Sequence, residues 1–453
     1  MQFDTIVAIA TPVGMGSVGI VRLSGENALK IGQILCPNIT IKEARHVYLS
    51  LIIHPKTQQV IDEACVIYFK GPHSYTGEDC VEIQTHGSYF ILQKVLAVCV
   101  ECGARLALPG EFTRQAFLNG KIELTQAESI GDLIHADSEK SHAVALSHVQ
   151  GKLYTYINTC RDQLCRIFEQ IEGSIDFPDE VDGINREAVI QMLDQNCEQL
   201  QKMITFQDIG ETVKRGINCV IVGKPNVGKS ALFNQLVGKE RAIVTDIAGT
   251  TRDYLTESFQ LGGMIVNLYD TAGIRETADY IEHLGIKKIT DLLKNADCIF
   301  WVIDSNQALS KEDYAIFEKI KSESLCVLLA NKADLTCHVD MKAIQYPKQW
   351  QKLEISAKTA AGIDQVKQFL YDQFIQQVER IDLALLCNVR QLNCIQVALT
   401  AMQQMKNGLR TGVEDDIISV DLKQAILKLG EVTGAEFTEE TLDRIFSRFC
   451  VGK

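Results

Sequence analysis

The stretch "INCVIVGKPNVGKSALFNQLVG", residues 217 to 238, decides the fold of its part of the chain. An apolar run leads into the glycine-rich "GKPNVGKS", residues 223 to 230, and helix-forming residues follow. A GxxxxGK[ST] segment between a strand and a helix is typical of a P-loop, because its glycines let backbone N–H groups turn toward phosphates. In such a loop Lys229 would reach the β and γ oxygens, and Ser230 would ligate Mg²⁺.

Three further motifs follow in order, each after a predicted strand. "DTAG", residues 270 to 273, offers the Asp270 carboxylate to the Mg²⁺ shell and Gly273 to the γ-phosphate. In "NKAD", residues 331 to 334, Asp334 can accept two N–H groups from guanine. Adenine does not offer these groups, which disfavours an ATPase. "SAK", residues 356 to 358, closes the base pocket. Together the four motifs predict a GTP-binding domain.

Short apolar runs continue around the P-loop. The runs "AIVTD", "MIVNLYD", "CIFWVID", "LCVLLAN" and "KLEIS" are mostly separated by helical stretches. This alternation predicts a doubly wound α/β domain over residues 215 to 375. Two glycines at 262 and 263 predict a hairpin that adds one antiparallel strand.

The remainder of the chain shows two kinds of sequence pattern, one strand-like and one helical. Residues 1 to 119 contain strand-like runs such as "GIVRL", "ACVIYF" and "CVEIQT", bounded by turn residues. Residues 124 to 173 predict an extended helical region, and the chain after about residue 375 is helical again. Flanking helical segments favour an α/β unit inserted into one helical domain, and two separate helical domains remain the alternative.

Composition limits the class of protein. The chain has 453 residues, 15 cysteines and a net charge of −13, and its apolar runs are too short to span a bilayer. Without a signal-like N-terminus, these features predict a reduced, cytoplasmic protein with no membrane contact, in which Cys99 and Cys102 are structural. The acidic balance opposes nucleic acid, so a polynucleotide substrate would require a local basic surface or one supplied by a partner.

Several separate segments carry a family resemblance. Within the TrmE–Era–Obg group of GTPases, "IVTDIAGTTRD" and "DTAGIR" resemble the MnmE (TrmE) family of tRNA modification GTPases. So do "GMGSVGIVRLSG", "SYTGEDCVEIQTHG", "PGEFTRQAFLNGKIELTQAE", "IDFPDE" and the terminal "FCVGK". The chain departs from the family at Met15, Ser17 and Lys224, where arginine, glycine and arginine are usual.

The resemblance implies a multidomain α+β and α/β fold. An N-terminal α+β folate-binding and dimerisation domain would occupy residues 1 to 119. A central helical domain would be built from residues 120 to 214 and 376 to 453, with a Ras-like G domain inserted at 215 to 375.

The resemblance also implies a set of nucleotide and ion contacts. For Mg²⁺ these are Ser230 and Thr251, and for K⁺ they are Asn226, Thr245, Ile247 and Thr250. The expected GTP contacts are Asn226, Val227, Gly228, Lys229, Ser230, Ala231, Thr245, Asp246, Ile247, Ala248, Gly249, Thr250, Thr251, Asp270, Thr271, Ala272, Gly273, Asn331, Lys332, Asp334, Ser356, Ala357 and Lys358.

One position raises the question of how water is activated. Ras-type enzymes use a glutamine directly after this motif, whereas this chain has Ile274, whose side chain forms no hydrogen bond. The resemblance implies that K⁺ replaces the arginine finger and that Glu282 handles the water. The alternative for Glu282 is a solvated helix face shared with Glu276 and Asp279.

On the folate side, the resemblance implies contacts from Arg22, Glu82, Lys121 and Lys453 to 5-formyl- or 5,10-methylene-tetrahydrofolate. Each residue has the alternative of an ordinary surface charge. Cys450 would either pack in a core or add to C6 of uracil and thereby activate C5.

The resemblance further implies a homodimer that acts with a flavin-containing partner, MnmG (GidA), in a heterotetramer or larger complex. Together they would add an aminomethyl- or carboxymethylaminomethyl-type group at C5 of the wobble uridine of certain tRNAs. GTP hydrolysis would drive G-domain dimerisation and a conformational change. A GTPase that only switches an assembly, with an N-terminal docking module, is the alternative from another class.

Overall fold

The computed structural model describes residues 4–12, 14–177, 183–238, 256–270, 291–322, 325–335, 347 and 350–452. These residues form two compact units. The first comprises Met1–Gly131, His148–Glu198 and Asn393–Lys453, and the second comprises Asp132–Ser147 and Gln199–Leu392. The second unit therefore contains the predicted G domain together with neighbouring helical segments. The predicted boundaries at 119, 214 and 375 remain predictions.

Twelve strands lie in the described residues: β1 Ile6–Ile9, β2 Val18–Ser24, β3 Val47–Ile53, β4 Val60–Phe69, β5 Cys80–His86, β6 Arg105–Leu106, β7 Ile217–Val222, β8 Thr256–Leu261, β9 Met264–Asp270, β10 Cys298–Asp304, β11 Cys326–Asn331 and β12 Gln351–Glu354.

The helices with described bounds are α1 Ala28–Leu35, α2 Tyr89–Glu101, α3 Glu111–Leu118, α4 Leu124–His135, α5 Glu139–Val149, α6 Lys152–Asp176, α7 Arg186–Thr205, α8 Gln207–Arg215, α9 Lys229–Val237, α10 Lys311–Ile320, α11 Ile363–Leu370, α12 Gln376–Glu379, α13 Val389–Thr411, α14 Asp415–Thr433 and α15 Glu439–Phe446. A π-helical turn covers Tyr371–Ile375, and a 3-10 turn covers Leu383–Leu385.

The first unit contains a six-stranded sheet in the order β3-β4-β5-β2-β1-β6. Its neighbours pair antiparallel, except for the parallel β1–β6 pair. Alternate residues such as Val21, Val66 and Ile83 point to one face, where Leu92 and Val95 of α2 cover them. The predicted N-terminal strands are confirmed.

The helical part of the first unit is organised by α6 and α14, which pack along each other. Leu153, Ile157, Leu164 and Ile171 recur along α6 at helical spacing and are completely buried. This apolar stripe explains why a helix of 25 residues is stable against α14, since packing rather than propensity supplies most helical stability.

The predicted extended helical region is divided into α4, α5 and α6. Before α5, the backbone N–H of Ser141 donates to the Ser138 hydroxyl (3.1 Å), which satisfies a group at the start of a new helix. Between α5 and α6, Gly151 has a left-handed φ of 78°, which interrupts the helix. Serine and glycine at these positions therefore break the region, although its apolar pattern is continuous.

The second unit contains a six-stranded sheet in the order β12-β11-β10-β7-β9-β8. All neighbours are parallel except β8–β9, whose antiparallel hairpin turns at residues 262 and 263 as predicted. Successive residues of each central strand enter the two core clusters on opposite faces of the sheet, for example Ile221 and Val222. The predicted multidomain α+β and α/β fold class is confirmed. No helix among the described residues is long and apolar enough to cross a membrane.

Candidate functional site

The P-loop lies between β7 and α9. Asn226 and Gly228 have left-handed φ values of 62° and 96°. A Cβ atom added to Gly228 would lie 2.3 Å from Nδ2 of Asn331, so the loop requires glycine there. The sequence therefore predicted both the loop and the need for glycine at this position.

The ammonium group of Lys229 is held over the loop. Its Nζ donates to the backbone carbonyls of Gly223 (3.0 Å) and Lys224 (2.9 Å), and the residue is 6% exposed. In the next residue, Ser230 Oγ donates to Oδ2 of Asp270 at 3.2 Å. A hydroxyl and a carboxylate oxygen are donors that suit a hard cation, so these two residues fit Mg²⁺.

Asn331 connects the phosphate and guanine motifs. Its Nδ2 donates to the carbonyl of Val227 (2.7 Å), and its Oδ1 accepts from the backbone N–H of Ala357 (2.9 Å). Asn331 is 2% exposed, so both bonds are shielded from water. One side chain thus ties "GKPNVGKS" to "SAK", an arrangement that motif reading did not specify.

Asp334 lies at the predicted guanine position. Its Oδ1 accepts from the Ser356 hydroxyl at 2.6 Å, and this hydrogen bond lowers the pKa of the Asp334 carboxyl. The Ser356 oxygen also accepts from the Thr359 N–H at 3.2 Å. An ionised carboxylate held in this way is suited to accept the two N–H groups of a guanine edge.

Two carboxylates near these motifs were missed by sequence reasoning. Asp304 ends β10 and pairs with Lys332 of "NKAD", while Asp313 lies in the first turn of α10 and pairs with Lys224 of the P-loop. For Asp313 the available signal was the Ser310-to-Asp313 spacing of a capping box. For Asp304 the sequence signal was an acid at the end of the predicted strand "CIFWVID".

In the first unit, two predicted folate contacts are cross-strand neighbours. Arg22 on β2 lies opposite Glu82 on β5, and their side chains pair at 2.9 Å. The Arg22 guanidinium lies 5.5 Å from the ring centroid of Tyr75 and 5.8 Å from that of Phe112. The register of the two strands therefore places the Arg22 cation beside the Glu82 carboxylate, and two aromatic rings from outside this strand pair lie near the guanidinium.

Lys121, another predicted folate contact, bonds to the loop between β4 and β5, which also contains Tyr75. Its Nζ donates to the Pro72 carbonyl at 2.9 Å. Lys121 also lines a pocket of about 610 Å³, whose polar lining includes Glu123 and Arg161. Burial raises the pKa of the Glu123 carboxyl to about 7, although hydrogen bonds from Thr125 oppose the shift.

The C-terminal tail is anchored through its backbone. The carbonyl of Cys450 accepts from the N–H of Gly110 at 3.4 Å. A Cβ atom added to Gly452 would lie 2.3 Å from the Ile9 carbonyl, so the tail passes close to the end of β1. Cys450 itself is exposed, which contradicts its alternative reading as a packed core residue.

Comparison with protein families covers nearly the whole chain. A family model described as GTP-binding protein TrmE N-terminus matches residues 5–121, and one described as MnmE helical domain matches residues 124–450. The tRNA modification GTPase MnmE of Nostoc sp. is 40% identical over 456 residues, covering 99% of each chain. This chain belongs to the MnmE family.

A second MnmE relative, from Aquifex aeolicus, is 39% identical over 452 residues and covers 99% of this chain and 100% of its own. Among solved structures, the G domain of the T. maritima FeoB iron transporter covers 34% of this chain and 97% of its own, at 25% identity. Its TM-score of 0.27 is too low to add to the assignment.

Family membership and the confirmed G-domain fold make this MnmE-family protein a GTP hydrolase that uses GTP and Mg²⁺. Part of the predicted site lies outside the described residues: Thr245, Asp246, Ile247, Ala248, Gly249, Thr250, Thr251, Thr271, Ala272, Gly273, Ile274, Glu282 and Lys453. The predicted strand "AIVTD" lies outside them as well.

Proposed function

We propose that this MnmE-family protein is a K⁺-dependent GTPase that takes part in modification of the wobble uridine of certain tRNAs at C5. The observation that carries the nucleotide part is the Asn331 network, because it joins a P-loop to a guanine-type base loop. The tRNA part is supported by relatives named tRNA modification GTPase that match this chain along its length.

For the nucleotide, each motif has a separate task. Lys229 binds the β and γ oxygens, exchanging its two carbonyl partners for phosphate. Ser230 and Thr251 would hold Mg²⁺, with the Asp270 carboxylate close to it, and the metal would supply positive charge to the phosphates. Asp334 selects guanine, and the remaining predicted GTP residues contribute further contacts to the nucleotide.

For hydrolysis, a carboxylate takes the place of glutamine. Ile274 cannot orient water, so we assign this task to Glu282. Asn226, Thr245, Ile247 and Thr250 would hold K⁺, which would supply the positive charge that an arginine finger otherwise provides. Asn226 lies within the P-loop and is exposed, which leaves its side chain accessible to an ion.

For the one-carbon chemistry, Arg22, Glu82, Lys121 and Lys453 bind 5-formyl- or 5,10-methylene-tetrahydrofolate, which supplies the carbon. The Arg22–Glu82 pair beside Tyr75 offers charged groups and an aromatic ring, which suit a pterin. The exposed Cys450 thiol is the candidate nucleophile toward uracil.

The assembly is a cytoplasmic homodimer that works with the flavin-containing partner MnmG (GidA) and tRNA. Its G domain occupies residues 215 to 375, inserted between helical segments 120 to 214 and 376 to 453. Because the chain carries a net charge of −13, contact with tRNA requires a local basic surface or one supplied by the partner. Hydrolysis drives the G domains together and changes the conformation of the complex.

Turnover of GTP in KCl and in NaCl at equal ionic strength tests the ion requirement. We expect substantial hydrolysis in K⁺ and little in Na⁺, with similar GDP binding in both salts. Equal rates in the two salts would refute K⁺ dependence while leaving the GTPase assignment intact.

Mass spectrometry of tRNA nucleosides from a deletion strain tests the modification. We expect loss of the C5-substituted wobble uridine and its return when the full chain is supplied. An unchanged nucleoside profile in the deletion strain would instead favour a GTPase that only regulates an assembly.

A further inference from the structure

We propose that residues 304 to 313, which run from the end of β10 into the first turn of α10, form a brace that positions both nucleotide-binding loops. Asp313 holds the P-loop through Lys224, and Asp304 holds the "NKAD" loop through Lys332. The proposal rests on the nucleotide-binding role proposed above and adds two positioning residues to it. Neither carboxylate belongs to the motifs that identify the GTP site.

At the phosphate end, Asp313 is anchored before it meets the P-loop. Its Oδ2 accepts from the backbone N–H and the hydroxyl of Ser310, both at 2.8 Å, which caps α10. The same oxygen accepts from Nζ of Lys224 at 2.9 Å. The carbonyl of Lys224 in turn accepts from Lys229, so Asp313 anchors one of the two residues whose carbonyls hold the phosphate-binding lysine.

At the base end, Asp304 is anchored within its own turn. Its Oδ1 accepts from the N–H of Asn306 at 2.9 Å, and its Oδ2 accepts from Lys332 Nζ at 2.7 Å. A backbone bond from Ser305 N–H to the Asn331 carbonyl, 2.9 Å, joins the same two segments. Lys332 has a left-handed φ of 66°, an uncommon conformation for lysine that these contacts stabilise.

Burial of the two carboxylates makes both ion pairs restrict the position of the loops that carry the lysines. The Asp313 and Asp304 side chains are 1% and 4% exposed, whereas Lys224 and Lys332 are 14% and 34% exposed. A buried carboxylate requires a cation or hydrogen-bond donors as partners. Each lysine is therefore held against its aspartate, and this restrains the loop to which the lysine belongs. Because one short segment provides both carboxylates, it fixes the position of the P-loop relative to the "NKAD" loop.

The two ends make different predictions for nucleotide binding. Asp313→Asn retains an acceptor for Ser310 but loses the charge that holds Lys224, so we expect about tenfold weaker binding of GDP and IDP alike. Asp304→Asn releases the loop that reads guanine. Because IDP lacks the guanine amino group, we expect a smaller loss for IDP than for GDP, so that the GDP-to-IDP affinity ratio falls several-fold.

Controls separate positioning from helix capping. Ser310→Ala removes the helix cap and one of the two hydrogen bonds from Ser310 to Asp313 but leaves the Lys224–Asp313 pair, so it should raise the dissociation rate of fluorescent mant-GDP much less than Asp313→Asn does. Lys224→Arg keeps a cation for Asp313, so this variant should bind GDP with near-normal affinity. Lys224→Met removes the cation and should bind GDP more weakly. The double variant Lys224→Met, Asp313→Asn should bind GDP about as weakly as either single variant, because both substitutions remove the same ion pair.

The parent protein provides the reference for interpretation. Failure of the parent to bind GDP would refute the proposed nucleotide site itself. If the parent binds GDP but Asp313→Asn and Ser310→Ala change its dissociation equally, Asp313 acts only as a helix cap and the phosphate end of the brace is refuted. An unchanged GDP-to-IDP ratio in Asp304→Asn refutes the base end.

Discussion

Replacing Asn331 with alanine removes the side chain that joins the P-loop to the base loop. In the parent protein, this amide donates to the Val227 carbonyl at 2.7 Å and accepts from the Ala357 N–H at 2.9 Å. Alanine can form neither bond. The P-loop and "SAK" would then lose their shared partner, and the nucleotide would have to restore their relative position when it binds.

The two bonds determine the size of the effect. A buried hydrogen bond between neutral groups contributes about 1 kcal/mol net, so the two together contribute about 2 kcal/mol. If this loss appears in nucleotide binding, GDP should bind about thirtyfold more weakly, since about 1.4 kcal/mol corresponds to a factor of ten. Asn295→Ala is the matched control, because Asn295 is exposed and its side chain donates to the nearby Asp291 carbonyl.

Equilibrium binding of mant-GDP to the two variants and the parent measures this effect, and denaturant unfolding without nucleotide measures stability separately. We expect weak binding by Asn331→Ala and parent-like binding by Asn295→Ala. GDP affinity within twofold of the parent for Asn331→Ala would show that the Asn331 bridge does not organise the site.

Three further predictions, which use four substitutions, test other parts of the molecule. Glu282→Ala should bind GTP normally while K⁺-dependent turnover falls by roughly 10²–10⁴, with a much smaller effect of Ile274→Ala; near-normal turnover in Glu282→Ala would assign the water to another group. Burial raises the pKa of Glu123 from its ordinary value of 4.5 to about 7, so the native state favours the protonated carboxyl and loses stability as pH rises between these values. Glu123→Gln should therefore be about 2 kcal/mol more stable than the parent above pH 7 and equal to it near pH 4, after discounting for partial exposure; parallel unfolding curves across pH would contradict the shift. Because Cys450 is exposed, Cys450→Ser should fold and hydrolyse GTP normally but lose wobble-uridine modification in complemented deletion cells, whereas retained modification would exclude a reacting thiol.

The sequence by itself determined the nucleotide chemistry and most secondary structure. The phosphate, metal and guanine contacts of a G domain come from short contiguous motifs at strand ends, so their residue types are visible without coordinates. Hydrophobic patterning likewise identified β2, β4, β5 and the strands around the P-loop, because a buried face repeats along its own element. It did not locate the breaks at Ser138 and Gly151, since these depend on single capping and turn residues.

Only the tertiary structure decided which distant side chains meet. Asn331 reaches Val227 across 104 positions, Asp313 reaches Lys224 across 89, and Glu82 reaches Arg22 across 60. Such pairs follow from strand order, strand register and burial, which result from packing of the whole unit rather than from any local pattern. The motifs thus named the groups predicted to contact the nucleotide, and packing of the sheet determined which distant side chains hold Lys224, Lys332 and the P-loop in position.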